Sequence, residues 1–305
     1  MAGFGFSNSP AFSRDPQRAA QLQQDGAYVP GQTYAPQQGQ GQQGFQQQGA
    51  PTPEQLGQMY DRPSATSSDT GRLTYDGVIM KTLATLAAVA TGFVLQIALV
   101  VTGNSGIMTM LMVAGLVVGL VLGFVNAFKR EPSRGLILAY GAAQGLAIGG
   151  ISAWMEFGQL GLSGIILQAL IGTASVFAAT LALYAFRIVR VTPKLTRFFF
   201  IAMIGYGLFS LVNLVLMWTG VTPEPFGVRS ALIPVIGIPW GVALGILAVA
   251  LGAYSLMLDF NNVEIGVQRG VPAKYGWQAA FGITATIIWL YVEILRIIAI
   301  VRGSN

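Results

Sequence analysis

An all-α, polytopic membrane protein with seven transmembrane helices is the fold class this sequence predicts. Three observations carry that expectation. Of the 305 residues, 53% are hydrophobic and only 10% charged, with a mean hydropathy of +0.60, whereas soluble domains carry roughly a quarter charged residues. Apolar runs of about 20 residues, the length that crosses a bilayer's hydrocarbon, recur along the chain. Lys and Arg are rich in alternate loops rather than spread evenly, as the positive-inside rule requires of a polytopic chain.

Residues 1–71 precede the apolar runs and contain none. They carry Q-Q-G-Q-G-Q-Q-G-F-Q-Q-Q-G with scattered Pro and Tyr, a bias that cannot assemble a packed core, so a disordered cytoplasmic tail is expected. With no apolar h-region it does not read as a signal peptide. A dispensable tail and a docking or self-association tail both fit this composition.

Residues 72–305 form the membrane domain. The expected spans are roughly Val78–Val101, Gly106–Phe128, Gly135–Trp154, Leu162–Phe186, Phe198–Trp218, a sixth ending near Leu258, and Gln278–Val301. Pro234 and Pro239 interrupt the approach to the sixth, which therefore starts near Trp240. The piece before it reads as a short interfacial or re-entrant segment. Loops with Lys129, Arg130 and Arg134, with Arg187, Arg190, Lys194 and Arg197, and with Arg269 and Lys274 fall on one side, together with Arg72 and Lys81. The opposite side holds only Arg229 and Arg302. That places the N-terminus in the cytoplasm and the C-terminus outside. Gly-rich stretches such as G-L-A-I-G-G read as close helix packing.

Two acids stand out against the apolar background. Glu293 lies inside the seventh span, in W-L-Y-V-E-I-L-R, and Asp259 follows Y-S-L-M-L. Intramembrane carboxylates are expensive and commonly face a protein interior or a watery path. If the sixth helix continues, Asp259 stands about 16 Å from the turn at Gly270, and Glu293 about 25 Å from Gly276 along the returning helix. Their levels then differ by about 9 Å, which tilt or a helix break would have to close. Meeting carboxylates would share one proton and titrate as a pair, closed when singly protonated and repelling when deprotonated. Against this, Arg296 at i+3 offers Glu293 a partner within its own helix, and Asp259 also fits a wetted loop acid. Glu156, ending the third span, reads as solvated. Gln96, Gln144, Gln168 and Asn213 are the mid-span amides, with Gln144 in Y-G-A-A-Q-G-L-A-I-G-G the most notable.

The chain has no Cys and no His, which excludes thiol catalysis, disulfides and Cys/His metal ligation. A Ser/His pair, H-E-x-x-H and a P-loop are all missing from the sequence, and no mid-span lysine offers a Schiff base. No enzyme activity and no cofactor are expected. The basic balance reports topology, so nucleic acid is not an expected partner.

The motifs nevertheless resemble a known family. L-T-Y-D-G-V-I-M-K-T, N-A-F-K-R-E-P-S-R-G-L-I-L-A-Y-G-A-A-Q-G-L-A-I-G-G-I-S, Y-S-L-M-L-D-F-N-N-V-E-I-G-V-Q-R-G-V-P-A-K-Y-G-W and W-L-Y-V-E-I-L-R resemble the Bax inhibitor-1 (transmembrane Bax-inhibitor-motif) family, most closely its actinobacterial branch. The resemblance spans roughly residues 72–302 and leaves the Gln-rich tail unmatched. It implies a central last helix wrapped by two groups of three, in a bacterial cytoplasmic membrane. It also implies a pH-sensitive calcium leak governed by two carboxylates, matched here by Asp259 and Glu293. Arg296, Gln144 (Glu in many relatives) and Glu264 are the candidate modulators. The partners expected are the bilayer, permeant or regulating calcium and protons, and, on an alternative reading, a membrane protease engaged by a non-conducting regulator. A small-solute transporter is the third reading, which the four scattered amides support only weakly.

Overall fold

The computed structural model describes residues 71–158, 161–189, 191–222, 224, 226–234 and 237–303. The expected disordered tail over 1–71 therefore lies, but for Gly71, outside the described residues. Seven helices are long and apolar enough to cross a membrane: α1 Tyr75–Val101, α2 Ser105–Phe128, α3 Arg134–Phe157, α4 Ile165–Ala185, α5 Pro193–Trp218, α6 Trp240–Gln268 and α7 Gly276–Gly303. The expected spans all correspond to helices, which mostly outrun the apolar segments because polar ends project past the hydrocarbon. The largest difference is α6. It continues ten residues past Leu258, because nothing in D-F-N-N-V-E-I-G-V-Q forbids a helix until Gly270 turns the chain with φ 63°.

Helix α7 is the axis. Its spanning window is 61% buried, against 11% for α5 and 17% for α2, which lie at the periphery. It packs against α1, α3, α4 and α6, while α3 gathers α1 and α2, and α6 gathers α4 and α5. That is the expected arrangement of two three-helix groups about the last helix.

Small residues make this closeness physical. On α3, a Cβ added at Gly145 would stand 2.1 Å from the Val89 carbonyl oxygen, so α1 touches the α3 backbone there. On α6, Gly241, Gly245 and Gly252 receive Ile300, Ile297 and Leu290 of α7, each within 2.4 Å of where a Cβ would lie. Without such gaps, apolar helices in lipid have little reason to associate, since lipid tails are as apolar as the side chains. Gln96 adds a bridge from α1, donating to the Leu146 carbonyl on α3 at 2.9 Å.

The α6–α7 turn is pinned at the face where α1 begins. Leu73 N–H donates to the Val271 carbonyl at 2.7 Å, and Ala273 N–H to the Gly71 carbonyl at 2.8 Å. Lys81 Nζ donates to the Ala273 carbonyl at 2.8 Å. Lys274 bridges to Glu131 in the α2–α3 loop at 2.8 Å, and this pairing holds the Glu131 carboxyl below its usual range. At the opposite face Glu156 is half-buried rather than solvated. It accepts from Gly164 N–H at 3.1 Å and Ile166 N–H at 3.0 Å, placing an anion at the start of α4 where free N–H groups favour one.

Gly145→Ala forces α1 and α3 apart and is expected to cost about 1–3 kcal/mol. Gly106→Ala meets nothing within 4 Å and should change stability by less than about 1 kcal/mol. Thermal unfolding of both variants in detergent checks the contrast; equal midpoints would refute the close-packing account.

Candidate functional site: two buried carboxylates at the central helix

Asp259 sits on α6 with 0% exposure, and its Oδ2 accepts from Thr286 Oγ1 of α7 at 2.9 Å. The Gly282 carbonyl, 3.1 Å away, competes for the same hydroxyl. Ser255 Oγ lies 3.2 Å from Thr286 Oγ1. Asp259 Oδ1 is buried without a hydrogen-bond partner among the described residues. The expectation of a wetted loop acid is therefore corrected: extending α6 carries Asp259 inside the bundle. No arginine or lysine of the described residues pairs with it.

Glu293 is 2% exposed and is partnered in the opposite manner. Arg296 Nη1 donates to its Oε1 at 2.7 Å and Oε2 at 2.9 Å, and Trp289 Nε1 to Oε1 at 3.2 Å. Arg229 Nη1 stands 4.0 Å from Oε2. Arg296 also donates to the Tyr206 hydroxyl at 3.1 Å, and Arg229 to Ser210 Oγ at 2.7 Å. Two cations thus enclose one anion.

Arg229 is the residue that sequence reasoning missed. Counted there among loop cations, it is only 3% exposed, because the stretch between α5 and α6 folds back into the bundle. Asn213 of α5 holds that fold-back, accepting from Val228 N–H at 2.8 Å and donating to the Phe226 carbonyl at 3.2 Å. Gly227, at φ 62°, starts the 3₁₀ turn Gly227–Ser230 against Asn213, with no room for a Cβ. The guanidinium then lies over the rings of Tyr206 at 5.2 Å and Phe209 at 5.5 Å, a favourable arrangement for a desolvated cation. The expected interfacial or re-entrant segment, the piece interrupted by Pro234 and Pro239, follows this turn and is described only in part.

The two carboxylates belong to separate hydrogen-bond sets. Thr286 and Glu293 are seven residues apart, so they share one stripe of α7 at levels about 10 Å apart. Between them Leu290, 0% exposed, presses onto Gly252 and leaves an apolar constriction. The level offset expected from spacing survives, and no kink in α7 removes it. Neither Gln144 nor Glu264 joins the site. Gln144 lies against α2 at Gly119. Glu264 accepts from the Tyr184 hydroxyl and lies 3.9 Å from Arg187, near the end of α4.

This fold and site define a seven-helix membrane protein with ionisable groups enclosed around a central helix. A family model described as Bax inhibitor 1 like matches residues 9–303. The chain belongs to that family. The match begins well before residue 72, so it takes in most of the Gln-rich segment that the sequence resemblance left aside. No curated protein and no solved structure matches the chain.

Removing the anion strands the buried Arg229, so Glu293→Gln should destabilise the protein by about 3–5 kcal/mol. Replacing both groups by apolar ones, as Arg229→Met with Glu293→Met, should cost much less, since the partly exposed Arg296 can reach outward. Unfolding midpoints of the two variants check the order. A double variant as unstable as Glu293→Gln contradicts the ion-pair account.

Proposed function

We propose that this protein is a pH-sensitive cation leak of the bacterial cytoplasmic membrane, with calcium as the permeant ion. The observation that supports it is Asp259: a carboxylate enclosed in the bundle with one hydroxyl donor and no paired arginine or lysine among the described residues. Charge so placed is expensive, and a counter-ion that comes and goes, a proton or a metal cation, removes the expense. Carboxylate and hydroxyl oxygens suit a hard cation such as calcium. Protonated Asp259 closes the path; deprotonated, it draws cations toward the Leu290 constriction. Glu293, already neutralised by Arg229 and Arg296, then acts as the fixed barrier beyond that constriction. The carboxylates are coupled through α7, not by sharing a proton. In this reading the chain is neither an enzyme nor a nucleic-acid binder, and its N-terminus is cytoplasmic.

The Glu293 cluster also favours a second reading. Two arginines against one carboxylate leave that half of the bundle positive, which disfavours cation passage. A non-conducting regulator that engages a membrane protease or another partner would need no path at all.

Calcium flux into proteoliposomes across a pH series separates these readings. The leak predicts flux that rises with pH as Asp259 loses its proton and falls on acidification. Asp259→Asn should flatten that response, while Glu293→Gln should change the flux level. Absence of flux at every pH from protein with an intact unfolding transition excludes the leak and leaves the regulator.

A further inference from the structure

Helices α1 and α4 each pack on α7 but scarcely on one another. They leave between them a cleft of about 940 Å³ with Ile283, Ile287 and Tyr291 of α7 on its floor, and Ala90, Ala174 and Phe177 on its walls. Rim residues such as Leu83, Val94 and Leu170 are 54%, 64% and 48% exposed, so the cleft opens sideways toward the bilayer. Its lining is almost wholly carbon along this length. At one end only, where α1 begins and α4 ends, it becomes polar. Tyr75, Tyr184 and Glu264 form that mouth, with Tyr184 donating to Glu264. Arg187 lies just beyond, 3.9 Å from Glu264 and 77% exposed.

Size identifies the occupant. The lining runs along α4 from Leu170 to Tyr184, about 21 Å at the helical rise. One leaflet's hydrocarbon is about 15 Å deep, so the cleft accepts acyl chains at full depth. A hydrocarbon chain about 4.5 Å across, from carbon contact distances, fills about 330 Å³. The cleft has room for two such chains side by side.

We propose that the α1–α4 cleft is a binding site for a two-chain phospholipid of the leaflet facing that mouth. Its acyl chains lie against α7, and its phosphate meets Arg187 and the hydroxyl of Tyr75, tyrosine being at home at this interfacial depth, while the Tyr184 hydroxyl stays committed to Glu264. Ile287 follows Thr286, the partner of Asp259, so the bound chains buttress the turn of α7 that holds the enclosed carboxylate. The site does not depend on whether the protein conducts ions.

The test uses the full chain in mild detergent, incubated with palmitoyl-oleoyl phosphatidylglycerol and weighed by native mass spectrometry. Wild type should retain one phospholipid per chain. Ala90→Trp and Ala174→Trp each fill the cleft from a different wall and should weaken retention about tenfold, the factor for 1.4 kcal/mol. Arg187→Gln should weaken it as well. Leu120→Trp, on the 59% exposed face of α2, should retain lipid as wild type does. Unfolding midpoints show which variants remain folded, and either cleft variant suffices. No retained lipid in wild type, or equal retention in cleft variants and the α2 control, overturns the proposal. So does a photo-crosslinker at Ala174 that captures protein, from residues 1–70 or a second copy, in place of lipid.

Discussion

A negative charge inside an apolar bundle needs a partner, and where the partner comes from divides this molecule in two. Glu293 takes its partners from the chain. Arg296 comes from the next turn of α7, and Arg229 from a loop folded into the bundle for that purpose. Among the described residues, Asp259 takes only a hydroxyl. The first arrangement is fixed, since withdrawing either charge leaves the other stranded in low dielectric. The second is open, because a neutral donor cannot offset a full charge. Helix α7 therefore carries a compensated carboxylate in one half and, in the other, the hydroxyl that meets the uncompensated carboxylate of α6.

Dryness between those halves is the work of glycine. Gly252 admits Leu290, Gly245 admits Ile297, and Gly241 admits Ile300, so α6 and α7 approach closely over the stretch of α7 that holds Glu293. Substituting any of these glycines would widen the interface at the level where an ion path has to be closed. Closure at Leu290 is apolar and therefore reversible at modest cost, whereas the Arg229–Glu293 contact is ionic and enclosed. The proposed path would have to pass both, and only the apolar one lies next to the Thr286–Asp259 contact.

Much of this was legible in the residues, for identifiable reasons. The seven helices follow from runs of apolar residues, because hydrocarbon leaves a backbone few ways to satisfy its polar groups. Arg296 beside Glu293 follows from helical spacing alone. The vertical offset of the two carboxylates follows from counting residues to the turn at Gly270. Position within a loop was not legible. Arg229 looks like any loop cation until Asn213 folds the 227–230 turn inward, and Glu156 looks solvated until the start of α4 lies across it. Thr286 went unremarked because a threonine in an apolar helix is ordinary, its hydroxyl being satisfied by the preceding turn; only the meeting of α6 and α7 makes it the donor to Asp259.

These environments converge on α7. Toward α3 it is tied by side chains, with Tyr291 bonded to Ser152 at 2.8 Å and Phe281 edge-on to Tyr140. Toward α6 it presents Thr286 and Glu293. Toward the gap between α1 and α4 its isoleucines face a cleft that the described residues leave unfilled. A helix held hard on one side and softly on another moves, if it moves, along the soft direction. For α7 the Asp259 contact and the cleft meet the same turn on adjoining faces, about 100° apart, so the packing of the cleft and the charge state of Asp259 both bear on that turn. Coupling of that kind needs no chain of intermediates, since Thr286 and Ile287 are consecutive residues of one rigid helix.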